Sequence, residues 1–174
     1  MVLDPDDLDR RIEVIWQELY REQMEGLLAN ESDMQASLYG KLRDYLDPVD
    51  YLVRSEHRIP APNGGRYKAD LVVLKPDQQL WSVIEIKGIW KGKVGAATRD
   101  ISKMRDYKLL GAERGYFCFT TNDSNLDALT RVLCPTHEWA KGFLRVAEGF
   151  DQDIGRRRSA ERTNQSRPWR VIRL

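Results

Sequence analysis

The segment Asp70-Leu71-Val72-Val73-Leu74-Lys75-Pro76-Asp77-Gln78-Gln79-Leu80-Trp81-Ser82-Val83-Ile84-Glu85-Ile86-Lys87 holds two apolar, β-branched runs around a Pro- and Asp-containing turn. The pattern predicts a β-hairpin, with one strand over 67–74 and the next over 80–87. Side chains alternate along a strand, so Glu85 and Lys87 share one face, while Ile84 and Ile86 point to the other, into the core. If Lys75 pairs with Leu80, paired residues sum to 155 and Asp70 lies opposite Glu85. Directly opposed side chains have Cβ atoms about 4.5–5.5 Å apart.

Upstream of the hairpin, Leu8, Ile12, Ile15, Trp16, Leu19 and Leu27 recur at helical steps and predict a first amphipathic helix. A break near 26–30 follows. Met34, Leu38, Leu42, Tyr45 and Leu46 predict a second helix over about 31–46, capped by Asn30 and ended by Asp47-Pro48. A strand over 51–59 and a loop over 60–65 lead into the hairpin. Downstream, a Gly- and Lys-rich loop over 88–95 precedes a helix over about 96–110. The apolar run 115–120 reads as a buried strand, and 124–133 as a further helix. Edge strands are expected at 143–147 and 169–174, with a basic loop between them around Arg156-Arg157-Arg158 and Arg162 to Arg167.

This order predicts an α/β domain with a mixed central sheet of about four to five strands flanked by helices. The 174 residues suit one domain. It divides into N-terminal helices (1–46), a core (51–135) and a C-terminal extension (136–174) with the basic loop and the candidate edge strands.

A net charge of +1 conceals an asymmetry. Residues 1–50 carry 5 Lys/Arg against 13 Asp/Glu, residues 51–140 carry 14 against 10, and residues 141–174 carry 9 against 4. The last two segments are therefore able to present a basic surface to a phosphate backbone. No apolar run approaches the ~20 residues of a membrane span. The acidic start shows no signal-peptide pattern, and Cys118 and Cys134 form neither a disulfide framework nor a metal finger. A soluble, reducing, cytoplasmic setting is expected. His57 and His137 lack partners at ligand spacing. Trp81, Trp90, Trp139 and Trp169 are candidates for stacking on bases, with core packing as the alternative for each.

Two carboxylates placed as Asp70 and Glu85 are expected to be repel each other unless a cation sits between them. Mg²⁺ takes one or two carboxylates plus water and phosphate oxygens, and Mn²⁺ is the alternative ion. Lys87, one step along the same face, is positioned to orient a metal-bound water. Such a trio supports hydrolysis of a phosphodiester. An exposed ion-pair ladder is the competing reading of the same residues. The apolar neighbours Val72 and Val83 argue instead for a cleft.

Asp70, a gap of fourteen residues, then Glu85-Ile86-Lys87 resembles the PD-(D/E)XK nuclease superfamily, with its restriction-endonuclease-like core. The likeness extends upstream to Glu31 on the helix before the sheet and downstream to Asp100-Ile101-Ser102-Lys103-Met104. Ala69, where a Pro often stands, is one departure. The resemblance implies a metal-dependent nuclease acting on nucleic acid, DNA foremost. It implies Asp70, Glu85 and the Ile86 carbonyl as metal ligands, Lys87 at the nucleophilic water, and Glu31 on metal-bound water, with Gln35 as its alternative. Lys91, Lys93, Arg99, Lys103, Arg66 and Lys68 are the candidates for nucleic-acid contact. A homodimer is expected if both strands of a duplex are cut. Two other functions remain open: a non-enzymatic nucleic-acid-binding or assembly subunit that keeps the nuclease-like fold, and an interaction module using the acidic first helix.

Overall fold

Two side-chain caps start the helical layer. Asp4 accepts the Asp6 N–H at 2.9 Å at the head of α1 (Pro5–Met24), with Pro5 in the first turn, where a missing N–H costs nothing. Asn30 accepts the Asp33 N–H at 3.0 Å at the head of α2 (Glu31–Leu46). A 3₁₀ turn over Asp47–Val49 closes α2. These features belong to a computed structural model that describes residues 3–89, 94–121, 143–150 and 170–173.

The remaining elements are β1 (Leu52–Pro60), β2 (Arg66–Leu74), β3 (Leu80–Ile89), α3 (Val94–Leu109), β4 (Arg114–Thr121), β5 (Leu144–Phe150) and β6 (Arg170–Arg173). They build one six-stranded sheet in the order β1-β2-β3-β4-β5-β6. The pairs β1–β2, β2–β3 and β5–β6 are antiparallel, whereas β3–β4 and β4–β5 are parallel. The α/β class is as expected. The sheet exceeds four to five strands because both C-terminal segments join it. Of these, β6 is an edge strand and β5 is interior. The helix expected over 124–133, the loop residues Trp90, Lys91 and Lys93, and Cys134, His137, Trp139, Trp169 and the arginine-rich loop lie outside the described residues.

Two apolar layers cover the sheet. On one face Leu8, Ile12, Ile15, Trp16 and Leu19 of α1 and Met34, Leu38, Leu42 and Leu46 of α2 pack with Leu71, Val73, Ile84, Ile86, Tyr116 and Cys118. On the other, Ala97, Ile101, Met104 and Tyr107 of α3 pack with Val72, Val83, Phe117 and Phe119. Leu27 does not join the first layer. The helix ends at Met24, Gly26 turns the chain with a φ of 79°, and Leu27 is left 67% exposed. Trp81 is fully buried and packs against Tyr51 with ring centroids 4.7 Å apart and the rings tilted by 56°, so it serves the core. At the start of β4, a Cβ on Gly115 would lie 2.7 Å from the Phe143 ring, so only glycine admits that close approach. Among the described residues, no helix is long and apolar enough to cross a membrane.

The hairpin closes differently from the simple expectation. Leu74, rather than Lys75, pairs with Leu80, and the turn is a five-residue loop held by Gln78 N–H to Lys75 O at 2.8 Å and Lys75 N–H to Gln79 O at 2.9 Å. Trp81 is then one extra residue on β3, and this irregularity restores the sum of 155 for Val73–Ser82, Val72–Val83 and Leu71–Ile84. Two one-residue shifts cancel, so the register still directs Asp70 toward Glu85.

Candidate active site

Beyond the Leu71–Ile84 pair the β2–β3 ladder stops. Asp70 replaces the next backbone bond with its own carboxylate, whose Oδ2 accepts the Ile86 N–H at 2.7 Å. The carboxyl groups of Asp70 and Glu85 lie near enough for each to alter the other's protonation. Glu85 stands on the α3 face of β3, as alternation with Ile84 and Ile86 requires.

Helix α3 supplies the roof. Tyr107 donates its hydroxyl to Glu85 Oε1 at 2.9 Å, and Lys103 Nζ lies 3.3 Å from the same oxygen. Asp100 bridges two lysines, at 2.7 Å to Lys103 and 3.3 Å to Lys87. Lys87 also meets Glu31 Oε1 at 3.2 Å, and Glu31 Oε2 accepts the Gly88 N–H at 2.9 Å. Glu31 reaches this position because Asn30 starts α2 immediately before it. The result is a chain of alternating charges running from Glu31 through Lys87, Asp100 and Lys103 to Glu85.

Burial sets the electrostatics. Glu85 is only 2% exposed, and Asp100 9%. Burial, reinforced by the Asp70 charge, raises the Glu85 carboxyl to about 8, with Lys103 and Tyr107 opposing. Burial likewise raises Asp70, against the Ile86 N–H and the Lys87 charge. Burial alone would lower Lys87, but Asp100 and Glu31 outweigh it and hold the ammonium above its ordinary range. Lys87 therefore remains a cation at neutral pH, suited to orient and stabilise rather than to accept a proton.

With all groups ionised, four carboxylates (Glu31, Asp70, Glu85, Asp100) face two ammonium groups (Lys87, Lys103), leaving an excess of two negative charges. The raised Glu85 relieves part of this by holding a proton. A divalent cation would relieve all of it. The donor set suits a hard ion, with two facing carboxylates, no sulfur and no imidazole. Among the described residues, no group of three or more His, Cys, Asp or Glu side chains forms a ready metal cage. Mg²⁺, which keeps several waters and takes one or two carboxylates, fits that arrangement better than zinc does.

Asp70, Glu85, Lys87 and Glu31 thus occupy one cluster. Ile86 enters it through its N–H. Gln35, one turn beyond Glu31, points elsewhere: its amide donates to the backbone carbonyl of Asp70 at 2.9 Å. Lys103 turns inward to Asp100 and Glu85, whereas Arg99 is exposed on α3. Arg66 and Lys68 are exposed on β2, and Lys68 pairs with Glu56 at 2.8 Å. Lys91 and Lys93 lie outside the described residues. Sequence reasoning gave no role to Asp100 or Tyr107. Their signal was spacing: Asp100, Lys103 and Tyr107 recur at three and four residues on the face that also carries Ala97, Ile101 and Met104.

No family model matches the chain, and no curated protein matches it. Among solved structures, a DrdV–DNA complex determined by cryo-electron microscopy aligns with a TM-score of 0.41 and 18% identity. The alignment covers 51% of this chain and 9% of that one, so the chain spans a small fraction of that protein's length.

Proposed function

We propose that this chain is a divalent-cation-dependent nuclease that hydrolyses phosphodiester bonds, with DNA as the substrate and Mg²⁺ or Mn²⁺ as the ion. The observation that carries the reading is the pairing of half-buried Asp70 with buried Glu85, with the charged Lys87 in the same cluster. Asp70 and Glu85 would hold the cation, with the Ile86 carbonyl as a further ligand. When bound, the ion polarises the phosphoryl group and lowers the pKa of a coordinated water.

The chain's own residues do the rest. Lys87, fixed between Glu31 and Asp100, orients the attacking water and stabilises charge growing on the phosphoryl oxygens. Glu31 accepts a hydrogen bond from that water while its second oxygen stays on the Gly88 N–H. Lys103 and Tyr107 hold Glu85 in place and oppose its tendency to keep a proton. Tyr67 and Ala69 face the α3 layer, as Glu85 does, so alternation puts Arg66 and Lys68 on the opposite side of the hairpin, away from the scissile phosphate.

The test is a cleavage assay on duplex DNA, single-stranded DNA and RNA, with and without Mg²⁺, using the wild type and Asp70→Ala. Cation-dependent cleavage of DNA that disappears in Asp70→Ala is expected. Cleavage equal in both proteins would be a contaminant's. DNA binding without cleavage in either Mg²⁺ or Mn²⁺ would contradict the enzymatic reading and favour a non-enzymatic nucleic-acid-binding subunit.

A further inference from the structure

The pairing of β1 with β2 runs on both sides of one missing rung. Ser55 pairs with Leu71 and His57 with Ala69, while Glu56 and Asp70, which the register would oppose, do not pair. Glu56 has a φ of 52°, a left-handed conformation that a non-glycine residue seldom adopts. Its side chain does not compensate: the ion pair with Lys68 is more than half exposed on both partners and contributes little. The conformation is therefore imposed by what the rung must accomplish.

Facing shows what that is. Val53 and Ile59 are six residues apart on β1, yet Val53 joins the α1/α2 layer and Ile59 the α3 layer. On β2, Ala69 joins the α3 layer and Leu71, two residues on, the α1/α2 layer. A regular strand would keep each pair on one face. Both strands thus change face at the Glu56–Asp70 rung. Alternation carried back from Val72 and Leu74 aims Asp70 at the α3 side, where Glu85 lies; carried forward from Tyr67 and Ala69, it would aim Asp70 away. The carbonyl and the carboxylate of Asp70 both find partners outside the β1 ladder. Its carbonyl accepts the Gln35 amide at 2.9 Å, and its carboxylate accepts the Ile86 N–H at 2.7 Å.

We propose that the left-handed turn at Glu56 and the amide of Gln35 are a positioning device that releases Asp70 from the β1 ladder and fixes its carboxylate against Glu85. Gln35 acts on the Asp70 backbone, and not on bound water. The consequence for cation binding rests on the function proposed above, but the placement of Asp70 is measurable without it.

The experiment compares wild type, Gln35→Met and Glu56→Gly by backbone-amide NMR and by calorimetric titration with Mg²⁺. In Gln35→Met the Ile86 amide proton, held downfield by its carboxylate acceptor, moves upfield, and Mg²⁺ binds about tenfold more weakly, as is usual when a ligand's supporting hydrogen bond is lost. In Glu56→Gly the left-handed turn is free of strain, so the Ile86 amide stays in place, Mg²⁺ affinity stays within about twofold and Tm rises. Gln35→Glu, which keeps the size and removes the donor at neutral pH, repeats the first arm if the Met variant does not fold. An Ile86 amide that is unmoved by loss of the Gln35 donor overturns the proposal. If that amide moves while even the wild type binds no Mg²⁺, the positioning device stands and the cation reading falls.

Discussion

Replacing Lys87 by methionine is expected to slow cleavage by about 10²–10³-fold while leaving Mg²⁺ binding in place. Methionine keeps the unbranched stem that packs in the half-buried site and removes only the charge. Lys87 makes its ion pairs with Glu31 and Asp100, and reaches Asp70 only through its charge. Its loss removes a fixed positive charge from the reacting phosphate and takes no ligand from the cation. Deleting one preorganised stabilising group of this kind costs about 10²–10³-fold in rate. Single-turnover cleavage measures the rate, and calorimetry on the same protein measures Mg²⁺ affinity. A rate within about threefold of wild type would remove Lys87 from the mechanism. A rate loss matched by an equal loss of Mg²⁺ affinity would show that it acts by holding the ion's ligands.

Glu85→Gln is expected to make the cation-free protein more stable and to make it insensitive to Mg²⁺. In the folded chain Glu85 keeps its proton up to about pH 8, against an ordinary value of 4.5. Folding thus takes up a proton between those limits, and the contribution to stability falls as pH rises through the window. Below about pH 4.5 both states are protonated and no penalty exists; above about pH 8 it is complete. Asp70 is raised in the same direction and adds to the slope. Lys87 and Lys103, raised above 10.5, act only at higher pH. Glutamine stays neutral throughout and still offers an oxygen to Tyr107. The variant should therefore match wild type near pH 5 and exceed its Tm by several degrees near pH 8, each kcal/mol being about 2–4 °C in a chain of this size. Added Mg²⁺ should raise Tm in the wild type alone. Parallel pH profiles for the two proteins would mean that Glu85 is already ionised when folded.

These two residues were legible from sequence for a plain reason. Alternation in a five-residue run, Val83 to Lys87, determines facing whatever the rest of the chain does. Helix α2 was equally plain, because Asn30 and Asp47-Pro48 bracket an apolar stripe. The turn register was not, since Lys75-Pro76-Asp77-Gln78-Gln79 suits loops of four or five residues, and only the extra residue at Trp81 settles which forms. Nothing in Arg54-Ser55-Glu56-His57 announces a left-handed turn, because no glycine is there; tertiary packing imposes it. For the same reason Gln35 looked like a substitute for Glu31, one turn along the same helix, whereas its amide reaches the Asp70 backbone. The interior position of β5 was hidden too, since Arg145 and Glu148 interrupt its apolar run.

The central claim is that Asp70 and Glu85 share a divalent cation. Anomalous diffraction from crystals grown with Mn²⁺ tests it most directly. A single strong peak between the two carboxylates, absent in Glu85→Gln, is the result expected. Crystals saturated with Mn²⁺ that show no peak between the two carboxylates would contradict it.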